Sequence, residues 1–365
     1  MVRAGLGRGW KCLFANDIDA KKAASYSTNW GSDELHVGDV SAFNATDLPG
    51  HADLAWASFP CQDLSLAGNR AGLNGTRSGT FWPFMQLMKS LVTECRTPRL
   101  IVLENVCGVL TSSSGRDFAA IGTAIANAGY RFGAIIINAS NFVPQSRPRI
   151  FIIAIWNDLR VPEHFTARHA STLWHPTNLR VAHDVLPETI KPFWIWWRLP
   201  RPSPRKKRLI DLLEFGSGIV WNTTGETQRL LSMMSGLNLR KIHQARRSGR
   251  LSVGAIYKRT RFDSQGSRVQ RAEVRFDGVA GCLRTPAGGS SRQVIIAVHG
   301  PKIRSRLLML REAARLMGLP ASYELPSHIN EAHRLLGDGV AVPVVRFLAR
   351  ALLEPILDFN GDRWR

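Results

Sequence analysis

The chain has 365 residues, 44% of them hydrophobic and 21% charged, and a formal net charge of +20. This length is sufficient for two domains with packed cores, and no apolar run of transmembrane length is present. Its five cysteines are scattered and form no Cys-x-x-Cys pair, so neither a disulfide framework nor a metal site is predicted, and a reducing cytoplasm is the expected location.

The positive charge is unevenly distributed. Residues 192–210 contain six Lys/Arg and no acid, and residues 227–262 contain nine Lys/Arg and no acid. Such clusters are typical of a surface that follows phosphates, so a polyanion is the predicted partner. A generally basic surface without a nucleic-acid partner is the alternative.

The first 160 residues alternate between strand-like and helix-like segments. Strands are predicted at 11–16, 52–59, 100–103, 132–137 and 150–155, and helices at 20–29, 81–94 and 114–128. This alternation predicts an α/β fold with a parallel sheet covered by helices on both faces.

The pattern changes after residue 158. Residues 159–209 are rich in Pro, Trp and Arg, and the crowded Trp194, Trp196 and Trp197 indicate core packing or, alternatively, a lid, of which packing is favoured. Residues 210–300 mix short strand-like pieces with basic loops, which favours a smaller, irregular domain. Helical periodicity returns at 307–316 and 344–353.

Three polar motifs occur at the ends of predicted strands. Pro60-Cys61-Gln62 follows the second strand, Glu104-Asn105-Val106 follows the third, and Gln145 to Arg149 precedes the last. Open α/β sheets place their sites at the carboxyl ends of strands. A thiolate at such an end is a strong nucleophile, although a buried, inert cysteine is the common alternative.

Together, these motifs and their spacing resemble the C5-cytosine DNA methyltransferases, over residues 10 to 355. The resemblance implies a Rossmann-like class I methyltransferase sheet with a second, smaller DNA-recognition domain. It also implies methyl transfer from S-adenosylmethionine to C5 of a cytosine that is flipped out of double-stranded DNA. Cys61 would attack C6, Glu104 would bind the N3 and N4 edge, and Arg147 and Arg149, which share a face on an extended segment, would complete the catalytic set.

The cofactor residues are also implied by the resemblance. Asp17 would bind the ribose of S-adenosylmethionine, Ile18 would pack on adenine, and Asp39 and Val40 would lie near the adenine amine. Further cofactor contacts are expected from Pro60, Gln62, Asp338 and Val340. The family's usual Gly-Asn-Ser-Val is replaced here by a sequence containing Asp338-Gly339, which departs from the family's side-chain contact.

DNA contacts are expected from the basic insert and from two segments that resemble family motifs. The residues concerned are Gln145, Arg240, Lys241, Arg246, Arg247, Arg250, Ser290, Ser291 and Arg292. Since Lys and Arg clusters bind phosphates without reading sequence, the target site is not predicted.

The beginning of the chain departs from the family. Members open with an apolar strand and a Phe-x-Gly-x-Gly-type turn, and this chain contains neither. Gly5-Leu6-Gly7-Arg8-Gly9 is not such a turn, because no strand precedes it. The expectation is that Met1 is an internal methionine of a longer protein or that the chain is a decayed copy.

These patterns predict three regions: a catalytic domain at 1–160 lacking its first strand, a target-recognition domain at 165–300, and a segment at 301–365 that returns to the catalytic domain. The predicted protein is a monomer in the bacterial cytoplasm, associated with the nucleoid, with a cognate restriction endonuclease as a possible partner and no membrane contact. Two alternatives remain open, an RNA cytosine C5-methyltransferase and a truncated, inactive DNA-binding relative.

Overall fold

The computed structural model describes residues 1–59, 78–262, 265–285 and 292–361. The chain divides into two compact units. Unit I comprises Leu6–Asn138, Pro148–Arg201 and Arg346–Arg365, and unit II comprises Met1–Gly5, Ala139–Arg147 and Pro202–Val345. Within the described ranges, no helix has the length and apolar character needed to cross a bilayer.

Unit I is an α/β structure. Its strands are β1 (Ala15–Asp17), β2 (Leu35–Val37), β3 (Leu54–Ala57), β4 (Leu100–Asn105), β5 (Tyr130–Asn138), β6 (Pro148–Trp156), β7 (Thr166–Ala167) and β8 (Trp196–Trp197). Its helices are α2 (Ala20–Trp30), α3 (Phe81–Thr93), α4 (Arg116–Asn127), α5 (Thr177–Asp184) and α11 (Glu354–Asn360). Helix α1 (Val2–Leu6) and helix α10 (Val342–Leu348) continue from one unit to the other.

The described strands of unit I form two two-stranded sheets, β1-β2 and β7-β8, and one four-stranded sheet. β1 and β2 form a parallel pair, and the four-stranded sheet has the order β3-β4-β6-β5. The all-parallel prediction is wrong, since β4 and β5 both run antiparallel to β6. Only residues 139–147 connect β5 to β6, which is too short for the crossover that parallel strands require.

The core of unit I surrounds β4. All six residues of this strand are buried, and Ile101 and Leu103 belong to the same hydrophobic cluster as side chains from α3 and α4. A strand covered on both faces reads as a continuous apolar run, which is why residues 100–103 were recognisable in the sequence. Because the strand is buried, the polar residues at its end, Glu104 and Asn105, are held in fixed positions.

Residues 165–201 belong to unit I, and the predicted domain boundary at 165 therefore differs from the observed division. The reason is aromatic packing. Trp197 is fully buried and donates from Nε1 to the Ile153 carbonyl at 3.2 Å, and Trp194 packs edge-on against Phe132 at 5.3 Å. The packing interpretation of the tryptophans is confirmed.

Unit II contains an antiparallel sheet in the order β10-β9-β11-β12. Its strands are β9 (Ser252–Phe262), β10 (Arg268–Arg275), β11 (Val294–His299) and β12 (Lys302–Leu307), and its helices are α6 (Thr224–Ser232), α7 (Gly236–Arg247), α8 (Leu310–Leu316) and α9 (Ile329–Asp338). Residues of α6 and α7 pack on the face of this sheet that carries Ile256, Val274 and Ile296.

Two predicted helices differ in extent. The helix predicted at 307–316 begins only at Leu310, because residues 302–307 form β12 and pair with β11. The helix predicted at 344–353 is longer, since α10, a wide turn at Ala349–Leu353 and α11 follow one another. Residues 301–345 remain with unit II, so the return to unit I begins at Arg346 and not at 301.

Candidate active site

Glu104 lies near the carboxyl end of the buried strand β4. Its side chain is 7% exposed, and its Oε1 is 3.2 Å from Nε of Arg149 on the neighbouring strand β6. The register explains the contact, because Glu104 is paired with Phe151, two residues along from Arg149. Among the described residues, Arg149 is the ion-pair partner of the Glu104 carboxylate, and the other acceptor positions of the carboxylate are open to a substrate donor.

Glu312 is a structural carboxylate in the same chain, and its hydrogen-bond partners can be compared with those of Glu104. It is fully buried in unit II and accepts from both terminal nitrogens of Arg306, at 2.7 and 2.5 Å, and from the backbone N–H groups of Met309 and Glu214, each at 2.9 Å. Four donors satisfy its oxygens. Among the residues that the structure describes, Glu104 has fewer partners than Glu312, as expected of a carboxylate that receives a further donor from a substrate.

Asn105 connects the ends of two neighbouring strands of unit I. Its Nδ2 donates to the Phe59 carbonyl at 3.2 Å, and its Oδ1 accepts from the Val106 N–H at 2.8 Å. The side chain is buried. Asn105 thus fixes the chain just before the Pro-Cys-Gln motif, a positioning role that sequence reasoning missed, although Asn105 stands inside the Glu-Asn-Val motif.

The predicted nucleophile Cys61 and its neighbours Pro60 and Gln62 lie outside the described residues. A second cysteine does lie beside the ion pair: burial raises the pKa of the Cys107 thiol, an effect that the positive charge of Arg149 only partly offsets. Cys107 is therefore protonated at neutral pH and is a poor nucleophile.

Arg147 makes a different set of contacts from Arg149. It belongs to unit II, is 2% exposed, and donates to the carbonyls of Leu283 at 3.0 Å, Gly337 at 2.7 Å and Gly339 at 2.6 Å. A guanidinium with this many backbone acceptors holds loops in place. These bonds give Arg147 a role in positioning the loops, and its catalytic role stays a prediction.

The cradle around Arg147 depends on close backbone approach. A Cβ at position 337 would lie 2.6 Å from the backbone nitrogen of Thr285, so only glycine fits there. Through its hydrogen bonds, Arg147 connects Leu283, which follows Cys282, to Gly337 and Gly339 at the end of α9.

Gln145 does not have the surface that a DNA contact needs. It is fully buried, donates from Nε2 to the Leu316 carbonyl at 2.8 Å and accepts from the Leu283 N–H at 3.1 Å. The prediction that Gln145 contacts DNA is therefore corrected: its amide links three segments of unit II.

The predicted nucleoside residues lie at the carboxyl edge of the parallel pair β1–β2. Asp17 ends β1 in register with Val37, which ends β2, and Asp39 follows two residues later. Ile18 is 66% exposed and provides an apolar surface at this edge. Carboxylates suit ribose hydroxyls and an amine, and an exposed aliphatic side chain suits a purine ring, so the residues present fit an adenosine group.

Both acids also have local structural partners. Asp17 Oδ1 accepts from the Asp19 N–H at 2.9 Å, and Asp39 Oδ1 accepts from the Ser41 N–H at 2.8 Å. This bond to Ser41 lowers the pKa of Asp39, so its carboxylate is ionised at neutral pH. Val40, which begins the turn that Asp39 caps, is half-buried.

Asp338 and Val340, the remaining predicted cofactor residues that the structure describes, lie in unit II. Val340 is buried, and the carboxylate of Asp338 accepts a hydrogen bond from the hydroxyl of Thr285. Asp338 therefore supports the loop before residue 286, in addition to any cofactor role.

The predicted DNA residues of the basic insert are on one helix and its end. Arg240, Lys241, Arg246, Arg247 and Arg250 are all exposed. The opposite side of α7 carries Ile242 and Ala245 into the core of unit II, so the charges form the solvent face. Lys241 also donates to the Val274 carbonyl at 3.1 Å, which fixes the helix on β10.

Ser290 and Ser291 lie outside the described residues. Arg292 lies just beyond them, is half-buried, and donates from Nη2 to Oδ1 of Asn330 at 2.6 Å. Its guanidinium is thus held against the first turn of α9.

A sequence model of the C-5 cytosine-specific DNA methylases matches residues 2–354. Type II methyltransferase M.NlaX of Neisseria lactamica is 24% identical over 352 residues, which cover 95% of this chain and 91% of the relative. Type II methyltransferase M.HhaI of Haemophilus parahaemolyticus is 25% identical over 345 residues, covering 93% and 87%.

Two solved structures are similar in fold. The S. pombe Dnmt2 methyltransferase superposes with a TM-score of 0.52 at 18% identity, covering 95% of this chain and 91% of that one. The Entamoeba histolytica methyltransferase EhMeth has a TM-score of 0.57 at 13% identity, covering 94% and 90%. The Rossmann-like methyltransferase fold implied by the sequence is confirmed.

Proposed function

Since the chain belongs to the C-5 cytosine-specific DNA methylase family, a family whose methyl donor is S-adenosylmethionine, we propose that it methylates C5 of cytosine in double-stranded DNA with Cys61 as the nucleophile. The observation that carries the proposal is the Glu104–Arg149 pair at the carboxyl end of β4. It supplies a buried, sparsely bonded carboxylate one strand away from the segment that leads to Cys61.

The chemistry requires C5 to become nucleophilic. The thiolate of Cys61 adds to C6 of the flipped base and the sulfur–carbon bond forms. The electron pair of the C5–C6 double bond moves to C4–C5, and that of the C4–N3 double bond moves to N3, which takes up a proton. Glu104, hydrogen-bonded at the N3 and N4 edge, stabilises a proton on N3 and so lowers the energy of this adduct. Arg149 positions the carboxylate.

The second half of the reaction restores the aromatic ring. S-adenosylmethionine, when bound, supplies a methyl group on a positively charged sulfur, which is an electrophile that an enamine carbon can attack. C5 takes the methyl group as the methyl–sulfur bond breaks, and the rest of the donor would leave as a neutral thioether. A base then removes the C5 proton, the returning electron pair re-forms the C5–C6 double bond and expels Cys61 as a thiolate, and N3 gives up its proton. The acidic edge of β1–β2, with Asp17 and Asp39, is the part of this chain that would hold the nucleoside portion of the donor.

The exposed basic face of α7 supports duplex DNA as the substrate. Its charges face solvent and point away from the core, as phosphate contacts require. Since the curated relatives are named as type II methyltransferases, we extend the proposal to a restriction endonuclease of the same target site as a partner. We also propose that the protein is a monomer in the cytoplasm and co-localises with the nucleoid. Light scattering tests the oligomeric state, and imaging of a tagged chain tests the location.

The test is bisulfite sequencing of DNA from cells that have no cytosine methylation of their own and express this chain. Unconverted cytosines at a recurring short sequence are expected with the wild type and with Cys107→Ser, and none with Cys61→Ser. Unconverted cytosines in RNA alone would favour the RNA methyltransferase alternative. If neither nucleic acid is methylated and labelled S-adenosylmethionine does not bind, the chain is an inactive DNA-binding relative.

A further inference from the structure

Unit II contains a cavity of about 550 Å³ that opens to solvent. This volume is typical of a site for a small molecule. Its apolar lining comes from buried side chains that lie far apart in the chain, namely Val143, Leu212, Leu213 and Leu319. None of the residues that line it belongs to the catalytic, cofactor or DNA-binding sets described above, so the cavity has no role in the proposed reaction.

Hydrogen bonds between these segments hold the walls of the cavity. Arg315, which lines it, donates from Nη1 to the Leu212 carbonyl at 3.1 Å, and its Nη2 is 2.6 Å from Oε1 of Glu214. Arg205 donates from Nε to the Ser140 carbonyl at 3.1 Å and so joins two other segments of the wall. The cavity is therefore preformed, and a ligand would not have to order its walls on binding.

Two adjacent lysines, Lys206 and Lys207, also line the cavity, and both side chains are exposed. The chain is fixed just beyond them, because the Leu209 N–H donates to the Gly278 carbonyl at 2.8 Å. Among the residues that the structure describes, neither ammonium group has an ion-pair partner. Two positive charges are thus held side by side and are open to an anion.

The other charged groups of the lining already have partners. Oδ2 of Asp211 accepts from the Arg208 N–H at 2.6 Å, and Arg315 is paired with Glu214. Three basic residues and one acid line the cavity, which gives its lining a net positive charge. The two lysines are therefore the groups that remain to bind an anionic ligand.

Phe142 gives the cavity an aromatic side chain. It is half-buried and lines the same space as the apolar residues. A flat ring of a ligand packs favourably on such a side chain. Two neighbouring ammonium groups suit a dianion, and a phosphate monoester carries a charge of about −1.5 to −2 at neutral pH. A molecule that joins a flat ring to a phosphate monoester is a nucleotide.

From these observations we propose that the cavity binds a nucleoside monophosphate. Lys206 and Lys207 bind the phosphate, and Phe142 packs against the base. This site lies outside the methyl transfer reaction and takes a ligand that is neither the methyl donor nor the methylated base.

The phosphate contacts are tested by isothermal titration calorimetry of the full chain with thymidine 5′-monophosphate. Its base is neither adenine nor cytosine, so binding at the donor and substrate sites is not expected. Lys206→Gln combined with Lys207→Gln should raise the Kd about tenfold or more, because hydrogen bonds to a charged group are lost. The matched control, Lys89→Gln with Lys302→Gln, removes the same charge at two exposed positions outside the cavity and should leave the Kd unchanged. Equal Kd values for the two double variants would overturn the proposal.

The base contact is tested by Phe142→Leu, which keeps an apolar side chain and removes the ring. The Kd should rise roughly two- to tenfold, whereas Phe359→Leu, a change at an exposed phenylalanine of α11, should have no effect. Circular dichroism spectra identify any variant that fails to fold, and the exposed lysine pair then carries the test.

The identity of the ligand is tested with the two halves of the probe. Thymidine and inorganic phosphate, each added alone, should bind at least about tenfold more weakly than the nucleotide, and equal binding of either would overturn the proposal. Binding of single-stranded oligothymidylate without binding of the mononucleotide would assign the lysines to a nucleic-acid strand and would also overturn it. None of these measurements depends on methyl transfer, so failure of the proposed function would leave them unaffected.

Discussion

The substitution Glu104→Gln tests whether the carboxylate of Glu104 acts in catalysis or stabilises the fold. The side chain is 7% exposed and forms an ion pair of 3.2 Å with a partner that is 15% exposed, and the change removes the charge with almost no change in volume. The amide oxygen of Gln still accepts from the charged guanidinium of Arg149, so an ion pair becomes a hydrogen bond from a charged donor to a neutral acceptor, at a cost of about 1–2 kcal/mol. A domain of ordinary stability, about 5–15 kcal/mol, remains folded.

The expected effect on catalysis is larger. General acid–base groups contribute roughly 100- to 10,000-fold to a rate, so the single-turnover rate of methyl transfer should fall by about a hundredfold or more. The rate is measured with excess enzyme on a duplex that contains the target site, and the free energy of unfolding by urea denaturation of the same preparations.

Glu312→Gln is the matched control. Glu312 is fully buried and accepts four hydrogen bonds, and glutamine places an N–H₂ group against donors that need an acceptor. The free energy of unfolding should fall by roughly 3–5 kcal/mol, with the rate per folded molecule unchanged. If Glu104→Gln loses stability like this control and methylates at the wild-type rate, the assignment of Glu104 is refuted.

Four other outcomes are expected. Cys107→Ser should leave the methylation rate unchanged, because the raised pKa of this thiol keeps it protonated; a large loss would make Cys107 a participant. Arg246→Gln with Arg247→Gln should lower the salt slope of DNA binding by about 1.8, and an equal slope would place both on a solvated face. Arg147→Met should leave three backbone carbonyls without their donor and lower the free energy of unfolding by roughly 3 kcal/mol in urea denaturation; a wild-type melt would refute the positioning role. Burial lowers the pKa of His175 from 6.5 to about 4, so on acidification the unfolded chain takes up a proton before the folded chain does. The free energy of unfolding should therefore fall by up to about 3 kcal/mol as the pH drops from 6.5 to 4. The variant His175→Asn should lack this part of the pH dependence.

The parts of the fold that were predictable share one physical feature. β4 is buried along its whole length, so its sequence is a continuous apolar run that stops at Glu104. The strand and the carboxylate at its end were therefore predicted together. The same holds for α2 and α3, whose apolar spacing follows the helical period and whose observed ends differ from the predicted ones by a single residue.

The parts that were not predictable depend on contacts between residues far apart in the chain. Arg147 bonds to carbonyls 136 to 192 residues away, and Gln145 bonds to one 171 residues away. Nothing in the local sequence distinguishes a buried arginine from an arginine that contacts DNA. The direction of β6 likewise depends on the length of its connection to β5 and not on the composition of either strand.

The observed division of the chain has the same cause. The basic, Pro-rich composition of residues 165–201 suggested the smaller domain, whereas their aromatic side chains pack on the sheet of unit I. Burial of large aromatic surface outweighs local charge in deciding where a segment lies.

Covalent trapping tests the central claim most directly. A duplex whose target cytosine carries fluorine at C5 cannot lose a proton from that carbon, so the sulfur–carbon adduct persists after the methyl group is transferred. With S-adenosylmethionine present, the wild type and Cys107→Ser should form a complex that survives denaturing electrophoresis, and peptide mapping should place the bond on Cys61. A wild-type protein that methylates ordinary DNA yet forms no such complex, or a complex that persists in Cys61→Ser, would contradict the account.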